Sequence, residues 1–124
     1  MNKNFLTAGA LFGAVAVICG AFGAHFLKTK LTPESLQTFE TAVRYQFYHA
    51  FALLATGILY KEYPGKLLQW SGRFFIAGII LFSGSLYILC AVQSLKWIGA
   101  VTPFGGMCFI AGWLLIAVNV AKKN

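Results

Sequence analysis

The sequence predicts an all-α integral membrane protein, a bundle of four transmembrane helices with both termini on the cytoplasmic side. Three observations carry that expectation. Hydrophobic residues make up 59% of the 124 positions and charged ones only 10%, where a soluble domain carries about a quarter charged. Apolar runs of about twenty residues, the length that crosses a hydrocarbon core of about 30 Å, recur along the chain. The ten lysines and arginines border those runs, where they meet lipid head groups. The formal charge of +7 is therefore a topology signal, and nucleic acid is not an expected partner. The length suits one domain, residues 1–124.

The first span covers about residues 5–25, after the short basic start Met1-Asn2-Lys3-Asn4. A secretory leader has a similar layout. Cleavage after Ala24 places bulky Phe22 where a small residue is needed, whereas cleavage after Gly23 puts Ala21 there and is tolerable; the apolar run, however, is long for a leader's core. Ile18 before Cys19 fits no lipoprotein signal either. The segment reads as a span. Thr32-Pro33-Glu34 then opens a second helix, with threonine as cap, proline in the first turn and an acid at the positive end. It runs from Pro33 to about Tyr60, roughly 40 Å. Its first two turns therefore stand at or beyond the membrane surface, and the span is about residues 42–60.

Pro64-Gly65, between Lys61 and Lys66, marks a turn. The third span covers about residues 74–93, introduced by Trp70 and Arg73 and ended by Gln93, Ser94 and Lys96. Thr102-Pro103 repeats the capping arrangement, and the fourth span, about residues 103–121, closes at Lys122 and Lys123. With the N-terminus inside, six basic residues lie on the cytoplasmic side (Lys3, Lys61, Lys66, Arg73, Lys122, Lys123). Four lie on the other (Lys28, Lys30, Arg44, Lys96). The positive-inside rule thus favours both termini in the cytoplasm of a cell that inserts the protein in its inner membrane.

Gly9, Gly13, Ala16, Gly20 and Ala24 form a small-residue series along the first span. Such a stripe lets a second backbone approach closely, which is how helices associate when lipid is as apolar as leucine. The expected partner is a neighbouring helix of the same chain, with contact between copies as the alternative. Cys19, Cys90 and Cys108 all fall in apolar runs without metal or redox spacing, and read as reduced, packed thiols.

The polar residues concentrate in the second helix. Glu40 and Arg44 are four apart and can pair on one face. Tyr45 and His49 share an adjacent face. With His25 at the outer end of the first helix and Tyr87 in the third, they compose an expected polar patch of His25, Tyr45, Gln46, His49 and Tyr87 in the outer leaflet. Ionisable groups inside a membrane are costly and often line a pathway. Each residue also has a structural reading, as a helix-end group, a belt aromatic or a hydrogen-bonded packing residue. His25 and His49 are the only candidate metal ligands, and neither HExxH nor CxxCH is present, so no metal, haem or other cofactor is expected. Ser83 and Ser85 have no aspartate to complete a triad, since the chain contains none. An enzyme is not expected.

Several stretches carry a resemblance over nearly the whole chain: Gly20-Ala-Phe-Gly-Ala-His25, the run from Phe39 to Ala50 with Tyr45, Gln46, Tyr48 and His49, Leu81 to Tyr87, Thr102-Pro-Phe-Gly-Gly106, and Gly112-Trp113. The chain resembles the domain-of-unknown-function 423 family, which includes the eukaryotic transmembrane protein 256. The resemblance implies a small four-helix inner-membrane protein and brings no catalytic residues with it. The functional expectation is a structural or accessory membrane protein acting through helix contacts, with membrane lipid and a second copy or another membrane protein as partners. Two alternatives stand beside it: an oligomeric permeation unit for protons or a small solute using the His25/His49 patch, and a binder of lipid, small ligand or metal there.

Overall fold

A computed structural model describes residues 1–122 and contains four long helical segments. The first, α1, runs over Lys3–Leu27, and α2 over Pro33–Leu59. Next, α3 spans Lys66–Ala91, and a 3₁₀ turn at Lys96–Ala100 leads into α4, Thr102–Lys122. Lys123, one of the closing lysines, lies outside the described residues.

The start signals act through their side chains at two of the helices. Asn2 Oδ1 accepts from Phe5 N at 3.1 Å, and Thr32 Oγ1 accepts from Ser35 N at 3.1 Å with Pro33 in the first turn. Thr102 differs from its expected capping role. The 3₁₀ turn already supplies carbonyls, Ile98 O to Val101 N and Val101 O to Phe104 N, so its hydroxyl is free to pair with Ser85 of α3 at 2.6 Å. The third helix also begins earlier than the expected residue 74, at Lys66. Its first turns are amphipathic, and Leu68, Ser71 and Gly72 bury against neighbouring helices.

Both α1 and α3 contain a π-helical stretch, Ile18–Gly23 and Ile79–Ser83. Both press on α2 at one level: a Cβ on Gly20 would lie 3.1 Å from Val43 Cγ1, and Ser83 Oγ donates to Ala42 O at 2.7 Å. A π turn widens the helix locally. Small residues and a helix-bridging hydroxyl let α2 stay close despite that.

By length and composition, α1, α3 and the segment Lys96–Lys122 are apolar enough to cross a membrane. The remaining helix, α2, carries Glu34, Glu40 and Arg44 in its first half and buries ten residues, against nine in α3 and three each in α1 and α4. With α3 it forms the inside of the bundle. Its interior polar side chains are covered by apolar helices that face outward, with Leu11, Ile18, Ile80, Ile110 and Leu114 exposed. The core of Phe5, Ala52, Leu53, Phe75, Ile79 and Phe109 is built by rings seated over glycines. Phe5 lies over Gly72, Phe75 over Gly112 and Phe109 over Gly78, where no side chain larger than hydrogen would fit.

Asn2 N donates to Gly57 O at 3.0 Å, and Asn119 Nδ2 donates to Tyr63 O at 2.8 Å. The chain's start therefore meets the last turns of α2, and the far end of α4 meets the turn between α2 and α3.

Candidate functional site

The five residues of the expected polar patch do not meet at one place. His25 closes α1 and is exposed, while Gly23 beside it faces Phe39 of α2. His49 lies ten residues further along α2, about 15 Å away at 1.5 Å per residue, and its ring turns to α3 and α4. The remaining four divide into two constellations on different sides of α2.

The first is a polar staple. Gln46, 2% exposed, donates from Nε2 to Phe12 O of α1 at 2.8 Å and accepts at Oε1 from the Tyr87 hydroxyl of α3 at 2.8 Å. One side chain thus joins three helices with its amide used in both senses. Phe12 is able to offer its carbonyl because the small residues of α1 hold the two backbones close: a Cβ on Gly9 would sit 2.9 Å from Ala50 O. Ala16 is fully buried and Gly20 faces Val43, whereas Gly13 has nothing within 4 Å of a Cβ position. Ala24 is half-buried beside the Phe39–Val43–Cys90 cluster. The small-residue face of α1 therefore runs through Gly9, Ala16 and Gly20, and Gly13 points off it.

The second constellation is centred on His49, 4% exposed. Its ring stacks on Phe109 with centroids 3.5 Å apart and planes 9° from parallel. Nδ1 lies 2.7 Å from Tyr45 O, one turn earlier, and Nε2 lies 3.1 Å from Trp113 Nε1. A carbonyl only accepts and an indole only donates, so the proton sits on Nδ1 and Nε2 presents its lone pair. Trp113 is 48% exposed on an apolar helix, where its N–H has no water to bond. His49 supplies that acceptor. The Tyr45 ring closes the far side, 4.6 Å from Phe82. Together with Tyr48, Gly106 and Ile110 these rings border an outward-facing groove of about 570 Å³.

Glu40 and Arg44 do not pair with one another. Arg44 Nη2 instead donates to Thr41 Oγ1 at 3.3 Å, three residues nearer the start of α2. The three cysteines are free thiols. Among the described residues, no three His, Cys, Asp or Glu side chains come together as a metal site.

Trp113, Phe109, Ser71 and Ser83 were not legible as partners. Ser71 Oγ donates to Gly112 O and Ser83 Oγ to Ala42 O, each at 2.7 Å across helices. A signal existed for Trp113 alone: a tryptophan in the middle of an apolar run, away from the membrane surface, needs an acceptor at its own depth.

Packed apolar helices that cover the polar side of α2, with interior polar groups bonded to each other or to backbone, define a helical membrane protein. The chain belongs to the family described as protein of unknown function (DUF423), whose profile matches residues 19–106. It is 45% identical to a UPF0382 membrane protein of Staphylococcus saprophyticus, across 97% of this chain and 98% of the relative. It is 42% identical to the UPF0382 membrane protein YwdK of Bacillus subtilis, again across 97% and 98%. No solved structure matches the chain.

Proposed function

We propose that this is a multi-pass accessory protein of the cytoplasmic membrane, acting through contacts of its lipid-facing helix surfaces with other membrane proteins or copies of itself. The observation that supports this reading is the state of His49. Both ring nitrogens are engaged and the ring lies flat on Phe109. A proton relay through Nε2 would set two donors against each other at Trp113 and break that bond. Gln46 and Tyr87 are likewise bonded to each other. The interior polar groups hold helices together, which leaves the outward surfaces to interact.

In this reading α2 crosses the membrane over about residues 42–60, flanked by α1 and α3, and both termini face the cytoplasm. A cysteine at Lys30 is expected to react with an impermeant thiol reagent added outside intact cells, in a background with the native cysteines replaced. Labelling only after permeabilisation would reverse the orientation. The permeation alternative is tested in proteoliposomes carrying a trapped pH dye. The full chain is expected to add no proton flux over empty vesicles, and His49→Phe, which keeps the ring stack without a titratable nitrogen, to change nothing. A flux that His49→Phe removes would replace the accessory reading with a permeation unit.

A further inference from the structure

From one end of α2 inward, Glu40, Arg44, Phe47 and Phe51 occupy a single stripe, at spacings of four, three and four. Glu40 and Arg44 are exposed, and they line a groove of about 310 Å³ together with Gly20 and Ala24 of α1 and Phe39 and Val43 of α2. The groove exists because the π-helical stretch of α1 offers only small residues there. Below it the rings of Phe47 and Phe51 stack with centroids 6.2 Å apart, and Phe51 is 63% exposed.

The order of these groups is chemically specific. Arg44 lies sixteen residues from Tyr60 at the opposite end, about 24 Å of helix, which is most of a hydrocarbon core of about 30 Å. That depth puts its guanidinium at the lower edge of the head-group layer, where an exposed cation is tolerated beside lipid phosphate. Glu40 lies one turn nearer the surface, and half-buried Phe47 and exposed Phe51 lie deeper. Carboxylate, guanidinium and apolar stripe therefore face, in sequence from the water, an ammonium, a phosphate and acyl chains.

We propose that the α1–α2 groove is a binding site for a zwitterionic aminophospholipid, with its phosphate on Arg44, its primary ammonium on Glu40 and one acyl chain along Phe47 and Phe51. The guanidinium keeps N–H donors beyond the one given to Thr41 and matches a phosphate's paired oxygens. The carboxylate, unpaired with Arg44, accepts from the ammonium. The assignment does not depend on which side of the membrane this end faces, nor on the accessory reading.

The test uses the full chain in detergent micelles, titrated with phosphatidylethanolamine, phosphatidylglycerol or diacylglycerol of equal chains and read by native mass spectrometry. Phosphatidylethanolamine is expected to bind about tenfold tighter than diacylglycerol, the scale of one charge-assisted hydrogen bond, and tighter than phosphatidylglycerol. Arg44→Gln should remove most of that margin, the part carried by the phosphate, and Arg44→Lys should restore part of the loss. Glu40→Gln should abolish the preference over phosphatidylglycerol while leaving phosphatidylglycerol binding intact. Both side chains are exposed, so helix content by circular dichroism should stay unchanged in each variant. Equal binding of all three lipids would overturn the site. A preference for phosphatidylglycerol lost in Arg44→Gln would overturn the zwitterion in favour of an anionic head group. Unchanged lipid binding in Arg44→Gln would also overturn the assignment, and would return the groove to the protein-partner class.

Discussion

Replacing His49 by alanine is expected to cost about 3–5 kcal/mol of stability, the range for truncating a buried aromatic-sized side chain. Three losses coincide at this position. The stack on Phe109 disappears and leaves a void against Phe75 and Phe109. The indole N–H of Trp113 loses its acceptor in a place without water. The extra bond to Tyr45 O also goes. Reversible unfolding in mixed micelles measures the sum. His49→Phe divides it, because a phenyl ring keeps the stack and forfeits both hydrogen bonds, for an expected loss of about 1–2 kcal/mol. If alanine and phenylalanine proved equally damaging, hydrogen bonding rather than packing would dominate the site. If alanine cost under about 1 kcal/mol, the His49 constellation would not be a structural centre at all.

Gly105→Ala and Gly106→Ala should differ sharply although the residues are neighbours. A Cβ on Gly105 would collide with the backbone of Phe82, where α3 and α4 touch, and neither backbone can turn aside. Overpacking of this kind costs about 1–3 kcal/mol, and rigid backbone on both sides puts the expectation near the upper end. At Gly106 nothing lies within 4 Å of a Cβ position. There the helix propensity of alanine acts alone, for an effect between zero and about 1 kcal/mol of stabilisation. The same unfolding experiment reads both. Equal effects would mean that α3 and α4 do not approach at Gly105 as described. A large loss at Gly106 alone would point to a contact made by another molecule on that face, which bears on the accessory reading directly.

Much of this architecture was legible from residue order. Composition, basic borders and the Thr32-Pro33 cap led to four helices in the right places, because hydropathy and capping are local properties. The 3₁₀ entry to α4 was missed since Thr102-Pro103 copies a capping pattern, and only the preceding carbonyls make a cap unnecessary. The earlier start of α3 was hidden for a related reason. Its first turns are amphipathic rather than continuously apolar, and become core only through the neighbours that cover Leu68 and Ser71.

The candidate site was less legible, and the reason is rotational. Residues four apart share a face of one helix, as Tyr45 and His49 do, and the expected patch also took in Gln46, one position from Tyr45 and three from His49. Those steps are about 100° and 60° of rotation about α2, enough to send Gln46 toward Phe12 and Tyr87 while His49 turns to Phe109 and Trp113. Sequence alone determined that this is a helical membrane protein with its polar residues gathered on the second helix, because burial in lipid constrains every residue of a span in the same way. Which polar group meets which depends on the relative rotation and height of four helices, and those follow from where phenylalanines find glycines across the core. That matching is long-range, and only the packed structure decides it.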